Sequence, residues 1–277
     1  MTITGIVGIV NVTRDSFSDG GKFLDPAAAV AQARQLVADG ADVIDLGAES
    51  THPDSEDVSA EEEIARLAPV IEGLKADGTC VSVDTCKPVV IRHALTLGVD
   101  FINDITALRD PDSVAAVRDA GARLILMHSR ASAARAERSE ADPATIVDEI
   151  LRFFEQRIAT LTKAGIDRQR LIIDPGMGFF LGSNPEASLA VLRHLERLHT
   201  LDVPILVSTS RKSFIGAVLG GQNTPRSVRE RGAGTLATEI WAAQRGVAYI
   251  RTHDVHALRD ALTVLDAIAS ADSAPCN

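Results

Sequence analysis

Residues 80–104 read CVSVDTCKPVVIRHALTLGVDFIND and contain one full repeat of the chain's architecture. The apolar run Cys80–Val83 ends in Asp84, Pro88 opens a helix that Gly98 closes, and the next run, Phe101–Ile102, ends in Asn103-Asp104. A short β-branched run, a polar end, a proline-started helix and a glycine stop read as strand, loop, helix, strand. The same unit recurs outward in both directions. Ile3–Val10 runs into Asn11, Asp42–Leu46 into Glu49–Thr51, and Arg123–Met127 into His128. Leu171–Ile173 runs into Asp174, Ile205–Val207 into Ser210-Arg211-Lys212, and Val247–Ile250 into Arg251-Thr252-His253-Asp254. Repeated right-handed crossovers make either a closed barrel or an open doubly wound sheet. No Gly-x-Gly-x-x-Gly follows the first run, and the polar ends fall on nearly every strand instead of at one switch point. The reading is therefore one (β/α)8 TIM barrel, whose eight strand ends meet on a single face.

The intervening segments carry helix signals. Asp25-Pro26 opens a helix to Asp39, and Ser59 followed by Glu62 is a capping box for a helix toward Ala76. Asp110-Pro111, Asp142-Pro143 and Asn184-Pro185 open three more, ending near Gly121, Ala164 and His199, and residues 225–245 and 254–269 supply the last two. Residues 11–24 and 47–58 are long for strand-to-helix connections, which marks them as functional loops. Residues 129–141 form an excursion rich in Ala, Arg, Ser and Glu, and the tail 270–277 reads as frayed.

Composition narrows the function. The chain has 277 residues, 45% hydrophobic and only 4% aromatic, the small branched core that a parallel sheet buried on both faces requires. A net charge of −10 argues against a nucleic-acid surface. Cys80, Cys86 and Cys276 form no disulfide framework or metal-ligand pair and read as buried thiols. No signal peptide or membrane-length apolar run is evident, so the reading is a cytoplasmic protein.

Asp84, Asn103 and Asp174 end strands three, four and six. Each alone serves to cap a helix. Together, two carboxylates that only accept and an amide that does both suit a heterocycle with adjacent N–H and amino donors, such as a pterin or purine edge. Lys212 stands at a loop-to-helix junction, a place for surface charge or for an anion. Arg251 and His253 are spaced so that one anion touches both, and the loops after strands seven and eight are where barrels hold phosphate. Asn11 offers a neutral oxygen to Mg²⁺ that keeps several waters. A lone His128 or His52 is more often structural, there is no zinc spacing, and no Gly-x-Ser-x-Gly elbow occurs.

These residues also carry a resemblance. Asn11–Gly21, Gly47–Thr51, Ser82–Thr85, Ile102–Ile105, Met127-His128, Asp174–Phe179, Ser210–Ser213 and Arg251–Asp254, in that order, resemble the dihydropteroate synthase family over essentially the whole chain. The resemblance implies condensation of 6-hydroxymethyl-7,8-dihydropterin diphosphate with 4-aminobenzoate to give 7,8-dihydropteroate and pyrophosphate in folate synthesis. It implies that Asp84, Asn103, Asp174 and Lys212 hold the pterin. Asn11, Arg251 and His253 would attend the diphosphate and its Mg²⁺. Thr51, Phe17 and Ser210 would receive aminobenzoate, Asp84 and Asp19 would stabilise the developing cation, and Met127, Phe179 and Phe180 would complete the substrate-binding set. A homodimer is implied as well, and the apolar stretch 233–243 is a candidate interface.

The chain departs from the family pattern in places. Arg14 stands where proline is usual. His52-Pro53-Asp54 replaces Arg-Pro-Gly, so a phosphate-binding arginine is missing, and Ser129-Arg130-Ala131 replaces a Gln-Gly-Pro-like continuation. Gly178-Phe179-Phe180-Leu181-Gly182 is enlarged by an aromatic beside the aminobenzoate pocket. In these departures the chain is similar to the sulfonamide-insensitive branch, where added bulk would exclude the drug and admit the substrate. Two other functions compete. A methyltetrahydrofolate methyltransferase would share the pterin pocket but needs neither a diphosphate site nor Mg²⁺. A silent pterin-binding paralogue would explain the missing arginine but not the retained set.

Overall fold

The computed structural model describes residues 4–13, 25–49, 57–130 and 141–271. Strand β1 (Gly5–Asn11) leads through helix α1 (Pro26–Ala38) to β2 (Val43–Gly47), α2 (Ala60–Ala76), β3 (Val81–Asp84) and α3 (Pro88–Thr96). There follow β4 (Phe101–Asp104), α4 (Pro111–Arg118), β5 (Arg123–Met127), α5 (Ile146–Lys163), β6 (Leu171–Asp174) and α6 (Pro185–Arg193). The short β7 (Leu206–Val207) precedes two helices, α7 (Ser213–Gly220) and α8 (Gly232–Ala243), before β8 (Tyr249–Thr252) and α9 (Val255–Ala271). All strand pairs are parallel, in the order β6-β5-β4-β3-β2-β1-β8-β7. A bridge between Ile173 and Ile205, with Ile173 N–H donating to Pro204 O at 3.0 Å, brings β6 against β7 and closes the ring. The expected barrel is the fold.

Side-chain alternation decides what the barrel contains. Outward residues such as Ile6, Ile44, Val83, Ile102, Leu124, Ile173 and Ile250 pack against the helices in the main core. Inward, Val7, Val43, Phe101, Ile125, Ile172 and Leu206 form a separate apolar floor, joined by Tyr249. The Arg123 guanidinium lies 5.3 Å from the ring centroids of both Phe101 and Tyr249. Two residues further along β2, β4, β6 and β8, the same faces carry Asp45, Asn103, Asp174 and Arg251. Each strand thus changes from apolar to polar within one alternation.

Four of the expected caps form. Asp25, Asp110 and Asn184 side chains accept from the N–H of Ala27, Asp112 and Glu186 at 2.9, 2.8 and 3.0 Å, and Ser59 Oγ accepts from Glu62 at 3.2 Å. Three boundaries differ from expectation. Asp142 caps a turn through Ala144 N–H, and α5 begins only at Ile146. Helix α6 stops at Arg193 and continues as a 3-10 segment, Leu195–Leu201. The segment 225–245 splits into a 3-10 turn, Val228–Glu230, capped reciprocally by Ser227 and Glu230, and then α8. Cys80 and Cys86 are half-buried free thiols, where full burial was expected. Burial pushes them up to about 11 and about 12, which leaves them unreactive. No helix among the described residues is long and apolar enough to cross a membrane.

The loop after β4 is held by a buried carboxylate. Asp104 accepts from Thr106 N–H and Oγ1, both at 2.7 Å, and from Leu108 N–H at 3.1 Å. Ala107 and Leu108 are left-handed, with φ of 56° and 57°, and Arg157 of α5 donates to both their carbonyls. Such backbone persists only where its surroundings impose it. Asp104→Ala removes the acceptor and strands three donors, so urea unfolding should show a loss of about 2–4 kcal/mol, with a smaller loss for Asp104→Asn.

Candidate active site

The polar rung is joined through Arg251. This side chain enters the barrel from β8, donating from Nε to Asp45 Oδ2 at 2.5 Å and from Nη2 to Asp84 Oδ2 at 2.9 Å. Asn103 Nδ2 donates to the same Asp45 oxygen at 3.1 Å. One guanidinium therefore serves two carboxylates. Burial pushes Asp84 up to about 7, against the pull of Arg251 and with a further push from the Asp45 charge. Arg251, expected with the diphosphate group, is bonded to Asp84 and to the Asp45 carboxylate that also holds Asn103. Asp45 was missed altogether. It is a single acid inside the run Asp42–Leu46, and only its inward alternation distinguishes it.

Asp174 and Lys212 complete the rung. Asp174 Oδ1 accepts from Gly176 N–H at 2.8 Å, and burial pushes the carboxyl up to about 6. Gly176 has φ of 73°, and a Cβ there would lie 2.3 Å from His128 O, so only glycine fits. Lys212 is the N-cap residue of α7, with Nζ 4.9 Å from the Phe180 ring centroid. Burial and then the Arg251 charge lower its ammonium to about 8. Phe180 is buried with Ile105 and Met127, and Phe179 packs on the edge of the cluster. These four make an apolar wall facing the charged rung. His128 is buried edge-on to Phe153, with centroids 5.0 Å apart, and burial lowers it to about 4. It is a neutral packing residue.

Ser210 Oγ lies 2.9 Å from His253 Nδ1 and accepts from His253 N–H at 3.2 Å. A hydroxyl can donate once and accept twice, so Ser210 serves either tautomer of the ring. Burial, followed by the charges of Arg211, Arg251 and Lys212, lowers His253 to about 3. His253 is a neutral imidazole, not a cation. Asn11 ends β1 exposed at the mouth, beside Gly47, where a Cβ would stand 3.9 Å from Asn11 Oδ1. Among the described residues no group of three or more His, Cys, Asp or Glu forms a metal cage. A lone amide oxygen in an open mouth fits an ion that keeps its waters and is held mainly by a ligand's phosphates.

Sequence reading also missed Lys87. Its Nζ pairs with Glu63 at 2.7 Å and with Glu49, tying the start of the second loop to α2 and α3. Arg14, Phe17, Asp19, Thr51 and His52 lie outside the described residues.

Comparison with known proteins agrees with this geometry. The family model described as pterin binding enzyme matches residues 7–253. The type-2 dihydropteroate synthase of Escherichia coli is 50% identical over 264 residues, covering 95% of each chain. The type-3 enzyme of Escherichia coli is 46% identical, covering 95% of this chain and 98% of its own. The Xanthomonas albilineans dihydropteroate synthase with 4-aminobenzoic acid superimposes with a TM-score of 0.88 at 42% identity, covering 98% of this chain and 94% of that one.

The raised carboxyl at Asp84 has a consequence for stability. Its folded value, about 7, lies above that of an unfolded aspartate, so its contribution is complete at low pH and lost as pH rises through about 7. Native stability in urea unfolding should fall as pH rises from about 4 through about 7, and Asp84→Asn should flatten that fall.

Proposed function

The chain belongs to the dihydropteroate synthase family, and on that premise we propose how its barrel mouth divides the work. The reaction condenses 6-hydroxymethyl-7,8-dihydropterin diphosphate with 4-aminobenzoate, giving 7,8-dihydropteroate and pyrophosphate in folate synthesis. The observation that carries the assignment is the polar rung of Asp84, Asn103, Asp174, Arg251 and Lys212, closed below by an apolar floor and walled by Met127 and Phe180. The N–H and amino edge of the pterin faces the carboxylates. Asn103 presents Oδ1, its Nδ2 being committed to Asp45, and Lys212 donates to the ring carbonyl.

The bond from the pterin methylene carbon to the diphosphate oxygen breaks, its electron pair leaving with pyrophosphate. The aminobenzoate nitrogen forms the new bond to that carbon and gives up a proton. Asp84, and Asp19 of the first loop, stabilise the cationic methylene. His253 donates from Nε2 toward the leaving group. Mg²⁺ supplies neutralisation of the leaving charge when bound, and Asn11 would hold it. Ser210 belongs to the aminobenzoate side with Phe17 and Thr51, whose loops exclude water from the cation.

Pyrophosphate release on mixing the two substrates tests the reading. Methyltetrahydrofolate should give no turnover. Lys212→Met should lower kcat/KM for the pterin diphosphate by about a hundredfold or more. The native alkaline limb, set near 8 by Lys212, should move upward in Lys212→Arg. Release without the pterin diphosphate, or unaffected by Lys212→Met, would overturn it.

We also propose that Phe180 makes the enzyme insensitive to sulfonamides. It thickens the turn Gly178–Phe180 beside Lys212, next to where aminobenzoate meets the pterin. Phe180→Gly should lower the inhibition constant of a sulfonamide about tenfold or more while the KM for aminobenzoate changes less. Because Phe180 is buried, Phe180→Leu provides a better-folded control. For the homodimer we infer a face on α7, α8 and their connection, where Val218, Leu219, Val228 and Trp241 are each exposed.

A further inference from the structure

We propose that Asp45 is a positioning residue for the pterin diphosphate, aligning Arg251 and Asn103 from below without touching the substrate. The proposal rests on the functional reading above. Asp45 pairs in register with Ser82, a full alternation beneath Gly47 and Asp84, and is wholly buried. Its Oδ2 receives both Arg251 Nε and Asn103 Nδ2. Two consequences follow for the residues above it. The guanidinium plane is fixed with Nη2 on Asp84, and Nη1 has no acceptor among the described residues, so one edge remains for a ligand. The Asn103 amide can have only one orientation, because a carboxylate accepts and never donates, so Oδ1 is the atom it offers.

A purely structural role explains less. Asp45 Oδ1 and the neighbouring Ser82 Oγ have no hydrogen-bond partner among the described residues. A buried carboxylate left half-satisfied costs stability, and an apolar residue of similar size would serve the core better. What the carboxylate supplies is direction, given to two side chains on different strands.

The test is Asp45→Asn, which keeps the shape and removes the charge. The KM for the pterin diphosphate should rise about tenfold or more while that for aminobenzoate stays within about twofold, a split that general loosening would not give. In an Arg251→Gln background, Asp45→Asn should add little further loss, because the two act as one unit. Equal rises in both KM values, no rise in either, or losses that multiply in the double variant would overturn the proposal. A measurement on the native chain guards against misfolding of the variants. The Arg251 Nε–H, followed by ¹⁵N NMR, should stay protected from exchange when 6-hydroxymethylpterin and pyrophosphate are added, and its exposure would overturn the role. If the native chain releases no pyrophosphate, the functional reading fails by itself. Calorimetry of 6-hydroxymethylpterin binding, about tenfold weaker in Asp45→Asn, then still decides the role of Asp45.

Discussion

The structure depends on one shared cation. Arg251 crosses the inside of a closed barrel to reach carboxylates on two neighbouring strands, Asp45 on β2 and Asp84 on β3. Withdrawing three charges from water is expensive, and pairing them seldom restores more than was lost. Its value lies in geometry. The strands that carry the three residues are bonded in the order β8, β1, β2, β3, so the guanidinium spans strands that the sheet already holds in register. The polar side chains of the barrel mouth are thereby held in place in advance of any ligand.

That arrangement requires the floor beneath it. Val7, Val43, Phe101, Ile125, Ile172 and Leu206 fill the lower barrel, excluding water from one side of the charged rung. The low polarity that this creates is the physical cause of the displaced titrations: Asp84 and Asp174 rise while Lys212 falls. Stability is given up for a site that binds a polar heterocycle once its donors replace the missing water. The closed turn after β4, anchored by Asp104 and Arg157, keeps Asn103 in the same frame from the side.

Much of this was legible in the chain because apolar runs ended so regularly in polar residues. The barrel, the caps at Asp25, Ser59, Asp110 and Asn184, and the set Asp84, Asn103 and Asp174 could be read from residue type and spacing, whereas Lys212 joined that set only through the family resemblance. Asp45 could not, since one acid inside an apolar run looks the same whether it faces the helices or the barrel axis. Arg251 was read with His253 because they are two residues apart. Partners 167 and 206 positions away in sequence fix where its charge is used. The start of α5 was misplaced because Asp142-Pro143 satisfies a turn as well as a helix, and both present the same cap.

The commitment of Arg251 also changes the electrostatics of the anion end. With its guanidinium bonded to Asp45 and Asp84, and with His253 held neutral by burial and by its cationic neighbours, two of the three residues first assigned to the diphosphate bring no uncompensated charge. The third, Asn11, is neutral by nature. Among the described residues named at the mouth, positive charge is then left to Lys212 and Arg211. Arg211 is exposed, with its backbone locked at φ of 60° by bonds from its N–H to Thr235 and from Arg231 to its carbonyl. A left-handed arginine fixed at both of its peptide groups is a costly way to place a surface charge, and it stands beside the histidine whose protonation it suppresses. The cationic field of Arg211, Arg251 and Lys212, added to burial, thus keeps the His253 imidazole neutral.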